Sequence, residues 1–549
     1  MKERDFESRA SANSATAAYA FYSNQFSVVL PETDVALQLA VAGNATPAIL
    51  LFMQRLQTLA SKFIGAFGST KAWYLILALF GVQAVWLALS MVYPGVFDEE
   101  VHFGTTQLYA TQWSPFFDGQ PVATDYLGQI AGQTSYLFYW VMSFVYRLLS
   151  VLGVGQVGII LLLRLINIAL FAAGLVVGRK LLKALRLSPA ATNLALFVFV
   201  MIPVVPQLAA QINYDNPLFL LTSAFLLLCV QFLQQLNTGQ ISLRQLVTLG
   251  VVGLTASLIK VAFLPIFAAG GIVLVGYTAT KMYQSRPGNY RFQEQLSSRN
   301  WRDGLLVVVM VLVASLAIAR YGSNYVNYGK LQPSCYQVLS VERCQAFGPY
   351  ARDYRLNQQL DPDFEPQPTS YIAGWYSGMH RRLFFTINGK TFVDTYQNFD
   401  PLPVVSVVAH GLVIVGFVAI ILRSKARLNT PSDVLMLSVI GLYVGTLLVR
   451  NYTGSYQQTG NLVAINGRYL LIVLLPLVAL SLKSLSELMG RRQLLKFALT
   501  LIVIVGFIQG GGISGFIVRS HPSWWWSAPI VEDVNRAGAR VVSPLLIGD

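Results

Sequence analysis

The chain has 549 residues, 54% of them hydrophobic and 12% charged, with a mean hydropathy of +0.54 and a formal net charge of +14. So apolar a composition excludes a soluble globular protein of this size and specifies an all-α polytopic membrane protein. The surplus of Lys and Arg gathers in short loops between apolar runs, the pattern of cytoplasmic loops beside anionic lipid, so no nucleic acid partner is expected.

Residues 1–45, beginning "MKERDFESRASANSATAAYA", are polar, lack the apolar core of a signal peptide, and are expected to form a cytoplasmic tail. Residues 46–68 read as an amphipathic interfacial helix whose Gln, Arg and Lys disfavour a crossing. A hydrocarbon core about 30 Å thick takes roughly 20 apolar residues per helix. Runs of that kind fall at 72–93, 156–178, 190–207, 217–236, 244–260, 264–281, 304–320, 402–422, 433–450, 469–486 and 497–518. About eleven crossings place the termini on opposite sides. The basic loops "GRKLLKALR", "ILRSKAR" and "GRRQLLK", set against "QINYDNP" with no Lys or Arg, predict a cytoplasmic N-terminus and an extracytoplasmic C-terminus.

Two segments assigned to the outer side are long, about 94–155 and 321–401, and function is expected there. Within the first, "TSYLFYWVMSFVYRLLSVLG" is nearly apolar enough to span. Counting it would invert every later loop, so it reads as a juxtamembrane helix in or dipping into the outer leaflet. In the second, Cys335 and Cys344 flank "YQVLSVER" on an oxidising side, where a short-loop disulfide is expected, whereas Cys229 lies in a span and reads as packing. The segment 519–549 is expected to be an extracytoplasmic tail, its Trp524-Trp525-Trp526 suited to a membrane interface or to stacking on sugar.

The polar residues on that side carry the functional reading. "VFDEEVHF" brings Asp98, Glu99, Glu100 and His102 a few residues past the first span; "QINYDNP" adds Asp215, "ASLIKVAFLP" adds Lys260, and "NLVAINGRYLL" adds Arg468 and Tyr469. Singly each has a plain explanation: Lys260 snorkels, Asp215 caps the helix beginning near Pro217, Arg468 is a surface charge. Together, carboxylates and cations at one depth suit a site that activates a hydroxyl and grips a lipid-anchored phosphate, Arg with its planar fork and Lys as a point charge. His102 shares a helical face with Asp98, while Glu100 points elsewhere into solvent. "GWYSGMHRRLFFTINGK" gathers Trp375, Tyr376, His380, Arg381 and Arg382, side chains of the kind that line an acceptor groove.

Asp98-Glu99 with His102-Phe103 after the first span, an Asp in "NYDN", a Lys closing a later span and "GRY" before a late one also form a family pattern. In this order they resemble the P-D-E-x-x-H-F signature of bacterial membrane proteins of unknown function placed near the GT-C glycosyltransferases, over roughly residues 70–490. The chain departs from it at Glu100, where Pro is usual, and at Val96-Phe97 in place of the preceding Pro, which alters the turn. The resemblance implies a GT-C-like transmembrane domain over 69–518 in the bacterial inner membrane. It also implies inverting transfer of a hexose or pentose from a polyprenyl-phosphate donor to a cell-envelope glycan, lipid or protein acceptor on the outer face.

On that reading Asp98 is the general base. Lys260 and Arg468 hold the donor phosphate. Glu99 is the second catalytic carboxylate, binding hydroxyls or sharing a cation with Asp98 and Asp215, and His102, Asp215, Tyr469, Trp375 and Arg381 contact substrate. No cofactor is required and no tightly held metal is expected; the hard oxygen ligands leave open only a divalent cation of the Mg, Mn or Ca kind, rather than Zn. Two other readings stand beside it. In a polyprenyl-linked oligosaccharide ligase or polymerase "VFDEEVHF" is incidental. A lipid-linked-sugar transporter is disfavoured by charges collected on one face and by the lack of a half-chain repeat.

Overall fold

The computed structural model describes residues 47–284, 291–293, 300–387 and 400–547; the tail expected over 1–45 lies outside them. The chain divides into two compact units, residues 1–63 and 64–549. Helix Pro47–Phe67 occupies the stretch read as amphipathic. The rest of the described chain is almost wholly helical, with one short parallel pair of strands, Gln240–Ser242 against Arg291–Gln293.

Among the described residues eight helices are long and apolar enough to cross a bilayer: Thr70–Ser90, Gln156–Ala184, Asp215–Asn237, Val261–Gln284, Trp301–Tyr328, Pro403–Leu422, Pro431–Thr459 and Gly467–Leu488. The protein is an all-α, multi-pass membrane protein. Every one of the eleven expected spans falls on a helix, but three are shorter than a full crossing: Pro189–Met201, Leu243–Ile259 and Gln493–Ile508. Local chemistry sets these ends. Ser188 and Ser242 accept the N-terminal amides of Ala191 and Gln245, filling orphan donors at the helix starts.

The expected span 497–518 is broken by Gly510-Gly511-Gly512. Gly512 has φ +60°, its N–H donates to the Met201 carbonyl at 2.6 Å, and a Cβ there would run into Gln83 Oε1. Only glycine permits so close a backbone approach. The chain then restarts as the short helix Ser514–Arg519.

The core of the second unit is an aromatic stack across four helices. Phe171 lies 5.3 Å from Phe80 and 4.6 Å from Phe219, and Phe199 lies 5.1 Å from Phe219. The stretch Leu137–Val151, expected to be juxtamembrane, is a 15-residue helix that buries Leu137, Phe138, Tyr139, Met142 and Ser143 and exposes Leu148 and Val151. The two long loop regions are pinned together: Arg343 grips Asp125 through two bonds of 2.7 Å, and Gln129 donates to the Pro333 carbonyl at 2.6 Å. The expected Cys335–Cys344 disulfide is present.

The C-terminal segment is part of this body. Met91 and Trp525 form an antiparallel bridge, the Val92 amide donates to Trp524 O at 2.8 Å, and the Trp526 amide donates to Ser90 O at 3.0 Å. Trp524 and Trp525 are buried, so two of the three indoles expected at a lipid or sugar surface instead close the end of helix Thr70–Ser90. Helix Pro529–Val542 continues the seam, with Asn535 Oδ1 accepting from Trp86 Nε1 at 2.9 Å. Trp524→Ala is expected to cost about 3–5 kcal/mol of stability, read as a lowered unfolding midpoint of the detergent-solubilised protein; an unchanged midpoint would mean that the tail is only draped over the body.

Candidate functional site

The site forms where helices are interrupted. Asp98 and Glu99 open the short helix Glu99–Tyr109; Asp215 opens Asp215–Leu236; Lys260 sits in extended conformation between Leu243–Ile259 and Val261–Phe263; Arg468 lies in the 3-10 turn Gly467–Leu470. Irregular backbone inside a membrane protein is tolerable where protein or a polar cavity satisfies it. Here side chains do so.

Glu99 is fully buried, and both its oxygens are taken. Oε1 accepts from Arg164 Nε at 2.8 Å and the Ile212 amide at 3.1 Å; Oε2 accepts from Arg164 Nη2 at 2.6 Å and the Gly95 amide at 2.7 Å. Arg164, equally buried, also donates through Nη1 to the carbonyls of Ala88 and Met91 at 3.0 and 2.6 Å, capping helix Thr70–Ser90. The expectation that Glu99 reacts or binds hydroxyls is therefore corrected: a carboxylate with four donors around it positions the chain and has no oxygen left for a substrate.

Asp98 is the opposite case. Its side chain is 51% exposed, and Arg468, itself buried, donates Nη2 to Asp98 Oδ2 and Nη1 to the Phe97 carbonyl, the latter at 2.7 Å. Phe97 and Asp98 both adopt left-handed backbone, φ +64° and +62°. Two such residues in a row cost on the order of 1–3 kcal/mol each and persist only where neighbours hold them. The hold comes from Arg468, from Asn213 Nδ2 donating to Phe97 O at 3.1 Å, and from the Phe385 ring packed edge-on 5.6 Å from Phe97. Partial burial pushes the Asp98 carboxyl up, but Arg468, with help from Lys260, brings it below its ordinary value. Asp98 is therefore ionised at neutral pH and reachable.

Asp215 and Lys260 form a second pair, Nζ to Oδ1 at 2.6 Å, both buried. Lys260 thus does not snorkel, and its ammonium faces the rings of Tyr214 at 4.5 Å and Tyr469 at 5.3 Å. Tyr469 also lies 5.4 Å from the Arg468 guanidinium. His102 Nδ1 is 2.7 Å from the Tyr139 hydroxyl, and its ring meets Tyr214 edge-on at 4.6 Å. His102 Nε2 and Asp215 Oδ2 are buried polar atoms with no hydrogen-bond partner among the described residues. Buried groups of this kind are costly to leave unmatched, and these two can each take a hydrogen bond from a water or a ligand.

The structure brings together Asp98, His102, Asp215, Lys260, Arg468 and Tyr469, and separates two other expected residues. Trp375 is buried in its own cluster with Tyr371, Met379 and Ile465, a packing role instead of an open aromatic platform. Arg381 is exposed and paired with Asp400 at 2.7 Å. The helix that carries them, Pro368–Leu383, matters through its end: a Cβ on Gly467 would meet the Leu383 amide nitrogen at 2.6 Å, so "GRY" needs glycine for this contact. The joint cation set Asp98, Glu99 and Asp215 does not form; each carboxylate faces its own Arg or Lys, and among the described residues no three His, Cys, Asp or Glu side chains converge to hold a metal.

Arg164, Asn213, Tyr139 and Tyr214 complete the site and were not singled out from the sequence. Arg164 had a signal, a lone charge within "IILLLRLINIALF", since a charge in an apolar run needs a partner. Chemically, the arrangement offers a half-exposed carboxylate with the capacity to take a proton, beside two buried cations with the capacity to attract an oxyanion.

No family model and no curated protein matches the chain. Among solved structures it is similar to ArnT from Cupriavidus metallidurans, in the apo state (15% identity) and bound to undecaprenyl phosphate (16%). These matches cover 86% and 87% of this chain and 70% of that one, each at a TM-score of 0.41. It is also similar to the oligosaccharyltransferase AglB from Archaeoglobus fulgidus in complex with an inhibitory peptide and a dolichol-phosphate. That match has 12% identity, covers 85% of this chain and 60% of that one, and has a TM-score of 0.38.

Two outcomes follow from the geometry. Arg164→Ala, which strands a buried carboxylate, is expected to destabilise by about 3–5 kcal/mol, and Arg164→Ala with Glu99→Gln by clearly less, measured as unfolding midpoints. Burial holds His102 near 3, reinforced by Arg468 and Lys260 against Asp98 and Asp215, far below its ordinary 6.5. A folded value below the unfolded one means that its contribution is intact above pH 6.5 and is lost as pH falls toward 3. His102→Gln should therefore flatten the acid limb of the stability profile; an unchanged limb would contradict a neutral buried imidazole.

Proposed function

We propose that the protein is an inverting GT-C type glycosyltransferase of the bacterial inner membrane. In this reading it moves a sugar from a polyprenyl-phosphate donor to a cell-envelope glycan, lipid or protein acceptor on the outer face. The observation that carries the reading is the pairing of a half-exposed, ionised Asp98 with the buried Arg468, beside the Lys260–Asp215 pair. In this reading Asp98, at a break in the helices, faces the reacting carbon of a lipid-anchored substrate.

In this reading the acceptor hydroxyl attacks the anomeric carbon from the face opposite the phosphate. The new carbon–oxygen bond forms as the bond to the phosphate oxygen breaks, the electron pair stays on the phosphate, and the hydroxyl proton passes to Asp98. A carboxylate held low by Arg468 is a weak base. When the phosphate engages Arg468, the guanidinium is shared between two anions and its hold on Asp98 slackens, so donor binding itself raises the basicity of Asp98. Arg468 and Lys260 lie in place before the reaction and stabilise the charge gathering on the leaving phosphate without reorganising. Glu99 serves by fixing the turn that aims Asp98. Asp215 holds Lys260 in place, and the unpartnered His102 Nε2 contacts donor or sugar oxygen. No metal is required by these steps.

The transfer is tested with protein in nanodiscs and a panel of polyprenyl-phosphate sugars, following free polyprenyl phosphate by mass spectrometry. Asp98→Asn, which keeps the shape and a hydrogen bond to Arg468, is expected to slow release about 10²–10⁴-fold with an unchanged unfolding midpoint. Release at the wild-type rate would remove Asp98 from the chemistry, and activity that instead needs the second loop would favour the ligase reading.

A further inference from the structure

The site described so far does not use Arg320. This residue lies toward the end of helix Trp301–Tyr328, in the wide turn Ile318–Gly322, and is only 6% exposed. Its guanidinium sits over the rings of Phe116 at 4.6 Å and Tyr136 at 5.3 Å, both from the first long loop. Nε and Nη2 have no hydrogen-bond partner among the described residues, and no carboxylate pairs with it. The hydroxyls of Tyr109 and Tyr136 are likewise buried and unpartnered, and the Arg320 charge acts on both.

Elsewhere in this chain the same two nitrogens bind carboxylates. Arg164 holds Glu99 and Arg343 holds Asp125 through Nε and Nη2, the edge whose two parallel N–H bonds match an oxyanion. Ring contact alone does not balance the burial of a guanidinium, because stacking on an aromatic face returns less than desolvating a full charge and two donors costs. An anion in the fork would supply the two partners that the described residues do not.

A file of rings joins this place to the reacting centre. His102 stacks on Tyr139 at 5.7 Å, and Tyr139 on Tyr109 at 6.4 Å, whose own ring meets Phe117 at 4.9 Å. Among the described residues Arg320 pairs with none of Asp98, Lys260 and Arg468, so its fork is a place separate from that pair of cations.

We infer that Arg320, with the hydroxyls of Tyr109 and Tyr136 and the ring of Phe116, forms an oxyanion subsite for a carboxylate or phosphate carried by a sugar of the substrate. This deepens the transferase reading and rests on it for the word substrate, while the subsite itself rests on Arg320 alone. Substrates would then be chosen for an acidic or phosphorylated sugar, and neutral glycans would bind poorly.

The test is direct binding, without turnover, so that its failure and the failure of the transfer reading are told apart. Wild-type protein in nanodiscs is titrated with glucuronate, glucose 6-phosphate and neutral glucose, and affinities are read by calorimetry. One of the two anions is expected to bind about 10–100-fold more tightly than glucose, and which one identifies the group. Arg320→Gln should abolish the preference, Arg320→Lys should keep part of it, and Tyr136→Phe should weaken it a few-fold. Equal affinity for all three sugars, or a preference that survives in Arg320→Gln, overturns the inference. Should Arg320→Gln not fold, an undiminished preference in both Arg320→Lys and Tyr136→Phe overturns it equally.

Discussion

The site depends on one buried ion pair. Arg164 reaches from the third turn of helix Gln156–Ala184 to take both oxygens of Glu99, and with its remaining donors closes the carbonyl end of helix Thr70–Ser90. A charge pair so deep has little net effect on stability compared with an apolar replacement, but removing either member leaves the other stranded. Its role is geometric. It ties the end of one spanning helix, the Gly95 turn and the Ile212 amide to one point, so that Asp98, next in the chain, projects from a fixed and strained backbone.

The rest of the site is built outward from that point. Asp98 meets Arg468; Lys260 meets Asp215 and the faces of Tyr214 and Tyr469; His102 is held neutral by burial against Tyr139. Each ionised group sits at a helix junction, where backbone donors and acceptors are already unpaired and side-chain charge is least wasteful. The tail adds closure from behind, since Trp524 and Trp525 pack against the same helix end that Arg164 caps.

Much of this was legible in the residues. Apolar runs located all eleven helices because hydropathy over a spanning length is a strong signal, and the order of Asp98, Asp215, Lys260 and Arg468 marked the four charges that converge. What failed were matters of depth and partner. Glu99 beside Asp98 looked like a second reacting acid, and only the fold shows Arg164, far along the chain, occupying it. Trp375 had the composition of a sugar platform, yet composition does not say which way a helix turns its rings. The Gly510–Gly512 break was hidden in an otherwise continuous apolar run, because its cause is the close approach of Met201 and Gln83 from other helices.

The central claim is that Arg468 divides itself between Asp98 and an incoming lipid phosphate. It is tested most directly by binding polyprenyl phosphate, without any sugar, to wild-type, Arg468→Gln and Lys260→Gln protein in nanodiscs, with the infrared carboxylate band of Asp98 followed by comparison with Asp98→Asn. The account predicts saturable binding that weakens about tenfold or more in both variants, and a band that shifts on binding only when Arg468 is present. Binding of equal strength in all three proteins, or an Asp98 band indifferent to the lipid, would contradict it.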